Sequence, residues 1–498
     1  MHQRESGILL HLSSLPGPYG TGCFGRDAIA FIDFLAAAGF SVWQVLPFSI
    51  PDEGGSPYKS ISAFAGNPCF IDPEQLCAQN LITAKELESC RESSPFSVDF
   101  TWLNAQRKAL LHRAFLRCPE ELRQKARQFA KEQDWLPDFA LYAALQQQTG
   151  KDWYDWEPAL RDRQPKALEK ARAALSEEIE EIYFVQYLFF MQWSAIKGYA
   201  NRKGIEIIGD MPIYVSPESA DLWSNRALFQ LDGEGRLAKV AGVPPDFFSE
   251  NGQKWGNPLY NWQEMEKDDF SWWRRRIQGA LSLYDRVRID HFRGLSAYWA
   301  VPFAAETAKE GEWLEGPGMK LFDRLFAEIA PTALIAEDLG IRDEGLEQLL
   351  EATGLPGMRV FQFAFPAQDQ GLHLPHNIPE NCLFYSGTHD NNTLLAYLWE
   401  LTPDQRAQAL DYCGFSGEDW QSGGAENAAI RAILKCIWRS PAKTVIAPVQ
   451  DLLGYGGDTK MNRPGIAEGN WQFRLTEDGF SKLSAKTWRT INQMFERI

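Results

Sequence analysis

Short apolar runs recur along the chain, and each is followed by a polar loop and a stretch with the spacing of an amphipathic helix. An apolar run of this length between turn residues is typical of a strand that is buried on both faces. Eight such strands alternating with helices predict an α/β fold, a (β/α)8 barrel. The predicted strands cover residues 7–12, 41–47, 205–210, 286–290, 333–337, 357–363, 383–390 and 443–449.

The intervals between these predicted strands are unequal, and two are far longer than a simple crossover. Helical periodicity in the first long interval, at 100–118, 120–133, 138–149 and 165–199, predicts a mainly helical inserted subdomain. The second long interval is rich in Pro, Gly and Trp and predicts long ordered loops, including a lid loop at 242–258. Insertions at the carboxyl ends of barrel strands form the walls of the active site.

These intervals divide the chain into five predicted segments, with no separate β-domain after the barrel. They are 1–50 with strands one and two, 51–203 as the helical insertion, 204–210 with strand three, 211–285 as the second insertion, and 286–498 with strands four to eight and C-terminal helices.

Composition narrows the class of protein. The 498 residues carry a net charge of −16, which disfavours nucleic acid or an anionic membrane as a partner. The eight cysteines show no C-x-x-C pair and no metal-binding spacing, which favours free thiols in a reducing compartment. Residues 1–6 lead directly into an apolar run without a signal-peptide core, and no apolar run reaches the roughly 18 residues of a membrane helix. We therefore expect a cytoplasmic protein.

Acidic residues stand at the ends of several predicted strands. Asp290, Glu337 and Asp390 follow strands four, five and seven, and Asp210 ends strand three. In a parallel barrel these ends meet on one face, so the three later carboxylates are expected to lie around one cleft. Cleavage of a glycosidic bond needs a nucleophile, a proton donor and a group that stabilises positive charge.

Each acid also has a structural explanation. Arg288 shares a strand face with Asp290, and we expect it to keep that carboxylate ionised, although a purely structural ion pair fits equally well. Glu337 should be partly desolvated, which raises the pKa of a general acid, but it could instead cap the next helix. Asp390 could likewise be a helix cap, and the side chain of Asp338 is expected to point away from that of Glu337.

Several motifs resemble one carbohydrate-active family. Residues 288–294 (RIDHFRG), 336–340 (AEDLG) and 388–391 (THDN) resemble signatures of the α-amylase clan. More narrowly, the chain resembles the 4-α-glucanotransferases called amylomaltase or disproportionating enzyme, glycoside hydrolase family 77. Further matching stretches are 13–20, 56–60, 62–68, 242–248, 253–258, 458–465 and 469–474. Cys23, Lys460 and Ile466 depart from the pattern, at positions where an acidic residue, Arg and Thr are common.

The resemblance implies roles for individual side chains. Asp290 would be the nucleophile, Glu337 the acid/base and Asp390 the group that stabilises the distorted sugar. Tyr58, Asp210, Arg288 and His389 are implied to bind that sugar. Trp255 and Asn462 would line the flanking glucose sites, and Phe247 would press on the glucan from the lid.

The implied activity is a retaining transfer of α-1,4-glucan segments, without cofactor or metal. Donors would be maltooligosaccharides or amylose-like glucans, and the acceptor would be the 4-hydroxyl of another glucan or of glucose. Three alternatives remain from the sequence: a hydrolase of the same clan, an inactive carbohydrate-binding protein, and a metal-dependent sugar isomerase. The isomerase would use Asp290, Glu337, Asp390 and His291 as metal ligands.

Overall fold

The computed structural model describes residues 4–52, 54–92, 94–245, 249–366, 371–466 and 468–498. Within these residues, twelve strands form two sheets. They are β1 (Glu5–Leu9), β2 (Val42–Gln44), β3 (Glu206–Met211), β4 (Lys239–Val243), β5 (Gln253–Pro258), β6 (Arg286–Ile289), β7 (Ala297–Pro302), β8 (Glu312–Glu315), β9 (Leu334–Ala336), β10 (Gly357–Val360), β11 (Cys382–Tyr385) and β12 (Thr444–Pro448).

The larger sheet is a nearly closed barrel of eight parallel strands among the described residues. Its order is β10-β11-β12-β1-β2-β3-β6-β9, and it closes where the Ala336 amide donates to the Pro356 carbonyl at 2.9 Å. Each of the eight predicted apolar runs supplies one barrel strand, so the predicted (β/α)8 fold is confirmed.

Asp338 completes this closure. One oxygen of its carboxylate accepts a hydrogen bond from the Met358 amide at 2.7 Å, and the other lies 2.9 Å from Arg359 and also contacts Arg342. Its side chain therefore joins β9 to β10 where the strand ladder stops. As expected, it points away from the site of Glu337, but its structural role has no signal in the sequence pattern.

Glycines allow close packing at two points around the barrel. On β3, a Cβ at Gly209 would lie 2.0 Å from a ring carbon of Tyr284, so only glycine fits against that ring. Gly39 has a φ of 76° and ends the first helix, and a Cβ there would lie 2.6 Å from a side-chain carbon of Ile498.

The helices found in the described residues surround the barrel and fill its insertions. They are α1 (Arg26–Ala38), α2 (Pro73–Ala78), α3 (Ala84–Glu88), α4 (Phe100–Leu116), α5 (Glu120–Glu132), α6 (Leu136–Thr149), α7 (Pro158–Arg161), α8 (Pro165–Ala174), α9 (Ser176–Arg202), α10 (Ala220–Ser224), α11 (Trp262–Glu266), α12 (Ser271–Leu283), α13 (Met319–Leu325), α14 (Glu344–Thr353), α15 (Leu394–Glu400), α16 (Pro403–Tyr412), α17 (Ala428–Arg439), α18 (Val449–Leu452), α19 (Glu477–Ser481) and α20 (Ala485–Met494).

Eight of these helices, α2 to α9, lie between β2 and β3 in the described chain. The helix predicted at 165–199 is two helices, because Leu175 leaves the helical conformation at φ −110° and ψ 27° and is buried. A new helix then starts at Ser176 with two acidic residues in its first turn, which favours a helix N-terminus.

The sequence predicted long ordered loops for residues 211–285, but this interval also contains regular secondary structure. It contains α10 to α12 and the strands β4 and β5, which join β7 and β8 in an antiparallel sheet of order β5-β4-β7-β8. Gly and Pro interrupt the alternation in β4 and β5, so the sequence pattern is weak there. The predicted lid at 242–258 therefore includes the end of β4 and all of β5, which pair with each other.

The sixth predicted strand also ends early. β10 stops at Val360, and Phe361–Phe363 forms a 3₁₀ turn. After Pro448, the described residues form α18 to α20 and contain no further strand. No helix in the described ranges is both long and apolar enough to cross a membrane.

Candidate active site

The predicted acids lie at the carboxyl ends of neighbouring barrel strands. Asp210 is on β3, and Asp290 and Glu337 directly follow β6 and β9. The amide of Asp290 donates to the Met211 carbonyl at 3.0 Å, and that of Glu337 donates to the Ile289 carbonyl at 3.1 Å. These bonds extend the strand ladder by one residue, so the carboxylates leave the barrel along the same rim.

Arg288 connects two of these carboxylates. Its side chain is 5% exposed; Nη1 lies 2.6 Å from Oδ2 of Asp210 and Nη2 lies 3.0 Å from Oδ1 of Asp290. One guanidinium thus fixes the position of Asp290 relative to β3. The pair of Arg288 and Asp210 is not an isolated surface ion pair, because both side chains are buried.

Asp210 is a buried anchor in this arrangement. Its side chain has no exposed surface, and Oδ2 also accepts a hydrogen bond from the Tyr58 hydroxyl at 2.7 Å. Oδ1 meets no partner among the described residues. The contacts therefore show Asp210 holding Arg288 and Tyr58, and the binding of a sugar that the resemblance implied stays a prediction.

The pKa of Asp290 is raised from 3.8 to about 8. Burial is the main cause, although 30% of the side chain is still exposed. Arg288 lowers the pKa, while the charges of Asp210, Glu337 and Asp390 raise it. Arg288 therefore favours the ionised form, as expected, but burial and the neighbouring carboxylates outweigh it and the net pKa is raised.

Glu337 is held by two backbone amides. Oε2 accepts from the His291 amide at 2.8 Å, and Oε1 accepts from the Leu339 amide at 2.9 Å. Burial raises its pKa, as predicted, against the lowering effects of Arg288 and these amides. The alternative that Glu337 caps the next helix is wrong, because the N-cap of α14 is Asp343.

His291 has a role that the sequence did not indicate. It lies between Asp290 and a 3₁₀ turn in the left-handed region, with φ 49° and ψ 47°. This conformation is uncommon for a residue with a side chain and concentrates at functional sites. It directs the His291 amide toward Glu337 and its ring toward Trp255, at 4.8 Å between ring centroids.

Asp390 stands in the loop after β11, and 43% of its side chain is exposed. Asn462 donates to its Oδ1 at 2.6 Å, and Nε2 of His389 lies 3.4 Å from Oδ2. The alternative that Asp390 caps a helix is wrong, because Thr393 is the N-cap of α15. Its carboxylate is available to the cleft.

An aromatic cluster forms one wall of the site. The rings of Tyr58 and His389 stack at 5.1 Å with an interplanar angle of 20°. Trp471 lies 5.6 Å from Tyr58 and 5.8 Å from His389, and it has a φ of 65°. Trp471 had no role predicted from the sequence, although it belongs to the matching stretch 469–474.

The predicted lid residues have different outcomes. Trp255 lies on β5 and packs edge-on against His291, which places it beside Glu337. Phe247 lies outside the described residues. The structure thus brings together every predicted site residue except Phe247.

Within the described ranges, no group of three His, Cys, Asp or Glu side chains has donors arranged to hold a metal ion. The donor set proposed for a sugar isomerase, Asp290, Glu337, Asp390 and His291, therefore does not form such a group. The His291 ring instead packs against Trp255, and burial lowers its pKa to about 3.

Comparison with known proteins identifies the family. The family model described as 4-alpha-glucanotransferase matches residues 10–479. The chain belongs to the 4-alpha-glucanotransferase family.

Relatives match this family member along its whole length. The 4-alpha-glucanotransferase of Thermus thermophilus is 42% identical over 500 residues, covering 99% of each chain. That of Aquifex aeolicus is 42% identical over 479 residues, covering 95% of this chain and 96% of the other. Amylomaltase from Streptococcus agalactiae, solved with acarbose, superimposes with a TM-score of 0.94 at 38% identity, covering 99% and 100% of the two chains. These relatives support glucanotransferase activity and do not favour the hydrolase alternative.

Proposed function

We propose that the protein redistributes α-1,4-glucan segments by a retaining, two-step transfer that uses Asp290, Glu337 and Asp390. The supporting observation is the placement of Asp290 and Glu337 on the adjacent strands β6 and β9. Neighbouring strands lie about 4.8 Å apart. Retaining enzymes hold their two carboxyl groups about 5–5.5 Å apart, so adjacent strand ends suit this chemistry.

In the first step, Asp290 attacks the anomeric carbon while Glu337 protonates the leaving 4-oxygen. The donor bond breaks, a glucosyl ester forms on Asp290, and the shorter sugar departs. In the second step Glu337 removes the proton from the 4-hydroxyl of an acceptor, which attacks the ester and frees Asp290. Asp390 stabilises the positive charge that develops on the sugar ring in both steps.

The pKa values of the two carboxyl groups fit these steps. Burial raises the pKa of both Asp290 and Glu337, and the charge of Glu337 adds to the rise at Asp290, so the two carboxyl groups titrate as a pair. The productive form of the pair has one proton, which Glu337 holds. Arg288 favours that form, because it directly contacts Asp290.

Substrate contacts complete the proposal. Maltooligosaccharides, amylose-like glucans and glucose would bind against Tyr58, His389 and Trp471, because aromatic faces pack on the apolar faces of sugar rings. Arg288 and His389 would contact the reacting glucose, while Trp255 and Asn462 would line the adjoining positions. Phe247 remains a proposed lid contact. We also propose a cytoplasmic location, since all eight cysteines are free.

Incubation of the protein with maltotriose tests this function. We expect glucose together with a ladder of longer chains, because transfer lengthens one product as it shortens the other. Shorter sugars alone would mean hydrolysis. Asp290→Asn should lower the initial rate by at least about 10³-fold, whereas the exposed Asp323→Asn on α13 should match the wild type.

A further inference from the structure

A groove in the helical insertion is separate from the catalytic carboxylates. It has a volume of about 560 Å³ and lies between the loop at 60–66, the connection between α5 and α6, and α12. Asp290, Glu337 and Asp390 do not line it. Its size is in the range of small-molecule sites, about 300–1,000 Å³.

Aromatic rings form its floor and one wall. Phe64 and Trp135 are nearly parallel, with an interplanar angle of 11° and ring centroids 6.0 Å apart, and Trp272 meets Phe64 edge-on at 6.1 Å. Phe64 and Trp135 are only partly buried, so ring surface remains open to a ligand. Flat aromatic surface of this kind suits the apolar face of a sugar ring.

A buried donor and acceptor stand beside these rings. Asp221 is 5% exposed, and its Oδ2 accepts a hydrogen bond from the Ala63 amide at 2.7 Å. Trp272 is 2% exposed, and its indole N–H is close enough to this carboxylate to lower the pKa of Asp221. The indole N–H has no hydrogen-bond partner of good geometry in the described chain. A buried N–H without a partner is costly. A hydroxyl group in the groove could accept from Trp272 and donate to Asp221, which satisfies both residues.

The rim adds further partners for hydroxyl groups. Gln133, Asp134, Asn225 and Gln278 all line the groove. Neighbouring hydroxyls of a glucose unit present several donors and acceptors to such side chains. Aromatic faces together with amides and carboxylates therefore favour a polyhydroxylated, uncharged ligand.

We propose that this groove is a second binding site for α-1,4-glucan chains, outside the catalytic cleft. The ligand class rests on the proposed function, because the site would hold a distant segment of the donor polymer. The loop from Tyr58 to Phe64 connects the two places. Tyr58 binds the catalytic anchor Asp210 at one end, and Phe64 enters the groove at the other.

Binding to the polymer tests the groove. Trp135→Ala should weaken retention in gels containing soluble amylose at least fivefold and raise the KM for amylose to a similar extent. Its kcat/KM for maltotriose should stay within twofold of the wild type, because maltotriose is too short to need the groove. The matched control is Trp399→Ala, which removes a tryptophan that is 56% exposed elsewhere on the surface, and it should retain wild-type binding.

Hydrogen exchange gives a second measurement that needs no change in the groove. In the Asp290→Asn variant, maltoheptaose should protect amides within 129–139. Protection confined to the loops that carry Tyr58, His389 and Trp255 would overturn the groove, as would wild-type amylose retention by Trp135→Ala or equal losses in both tryptophan variants. If the wild type fails to lengthen maltotriose, that result refutes the proposed function independently of the groove. If the wild type lengthens maltotriose and Trp135→Ala binds amylose as tightly as the wild type, only the proposed groove is refuted.

Discussion

The guanidinium of Arg288 lies 3.0 Å from the carboxylate of Asp290, and yet the pKa of Asp290 is raised to about 8. The arginine is already bound to Asp210, which carries the opposite charge. The net field at Asp290 therefore combines one cation with several carboxylates, in a desolvated site. Arg288 orients Asp290 more than it acidifies it, and the reactive form depends on how Asp290 and Glu337 share a proton.

This sharing predicts a bell-shaped pH dependence of kcat/KM for maltotriose. On the acid side, both Asp290 and Glu337 are protonated and no nucleophile is available. On the alkaline side, the pair loses its remaining proton and no acid is left, so we expect the falling limb near pH 8.

A substrate with a self-sufficient leaving group provides the control. Formation of the glucosyl-enzyme from α-maltosyl fluoride does not require a proton on the leaving atom. In single-turnover measurements with this donor, the alkaline limb should disappear while the acid limb stays. An alkaline limb identical for both donors would assign it to another group.

Asp290 should also make the folded protein less stable as the pH rises. Its pKa is higher in the folded protein than in the unfolded chain, so folding takes up a proton between about pH 4 and pH 8 and stability falls through this window. Each pKa unit corresponds to about 1.4 kcal/mol, so the rise at Asp290 gives an upper bound of about 6 kcal/mol. Partial solvation of the side chain reduces this, and we expect about 1–3 kcal/mol.

Asp290→Asn should accordingly raise Tm by a few degrees at pH 8.5 and by much less at pH 5. Differential scanning calorimetry at both pH values measures this difference. Asp323→Asn, which changes an exposed carboxylate, should leave Tm unchanged at both. A constant gain at both pH values would show that ionisation of Asp290 is not the cause.

Tyr58→Phe tests the anchoring of Arg288. The change removes the hydroxyl that donates to Asp210 at 2.7 Å but retains the ring that stacks on His389. A hydrogen bond to a charged group contributes about 1.5–3 kcal/mol, so we expect kcat for maltotriose to fall by about tenfold or more. KM should change little, because the ring stays in place.

Tyr385→Phe is the matched control for this prediction. Its hydroxyl donates to Gln44 inside the barrel and not to a carboxylate, although the charges of Arg288 and Asp210 act on its pKa. The variant should lose stability in urea but keep its kcat. Equal losses of kcat in both variants would indicate a general effect of removing a buried hydroxyl.

The sequence predicted the strands well because parallel barrel strands are continuous apolar runs, and such runs need no knowledge of tertiary contacts. It also placed Asp290, Glu337 and Asp390 at one rim, since strand ends converge in any barrel of this kind. The second sheet was missed because Gly242, Gly256 and Pro258 interrupt the alternation in β4 and β5. Those strands are specified by their cross-strand partners and not by local pattern.

Other features of the site depend on residues that are far apart in the sequence. Asp210 holds Arg288 and Tyr58, and Tyr58 is 152 residues away from it in the chain. The left-handed conformation of His291 and the contacts of Asp338 likewise depend on distant residues. The pKa of Asp290 could not be predicted from its neighbour Arg288, because burial and carboxylates from three other strands or loops decide its direction.

Asp338→Ala tests the closure of the barrel. The change leaves the Met358 amide without its acceptor and Arg359 without its buried counter-ion. Removing one partner of a buried ion pair typically costs about 3–5 kcal/mol, and we expect a loss of that size in urea unfolding. Activity per folded molecule should fall far less than in Glu337→Gln, although residues 337 and 338 are adjacent.

Trp255, on β5 in the predicted lid, should influence the choice between transfer and hydrolysis. The indole of Trp255 covers His291, whose amide holds Glu337 at 2.8 Å. Removing the ring opens the acid/base to solvent and loosens the acceptor position, while the Asp290 side of the site keeps its contacts. Water then competes better with the acceptor for the glucosyl-enzyme. Trp255→Ala should therefore raise the ratio of reducing ends released to chains lengthened by about tenfold, measured on maltotriose by chromatography.

Trp313→Ala, on β8 of the same sheet and 40% exposed, is the control and should leave the ratio unchanged. An unchanged ratio in Trp255→Ala would mean that water is excluded by another part of the site.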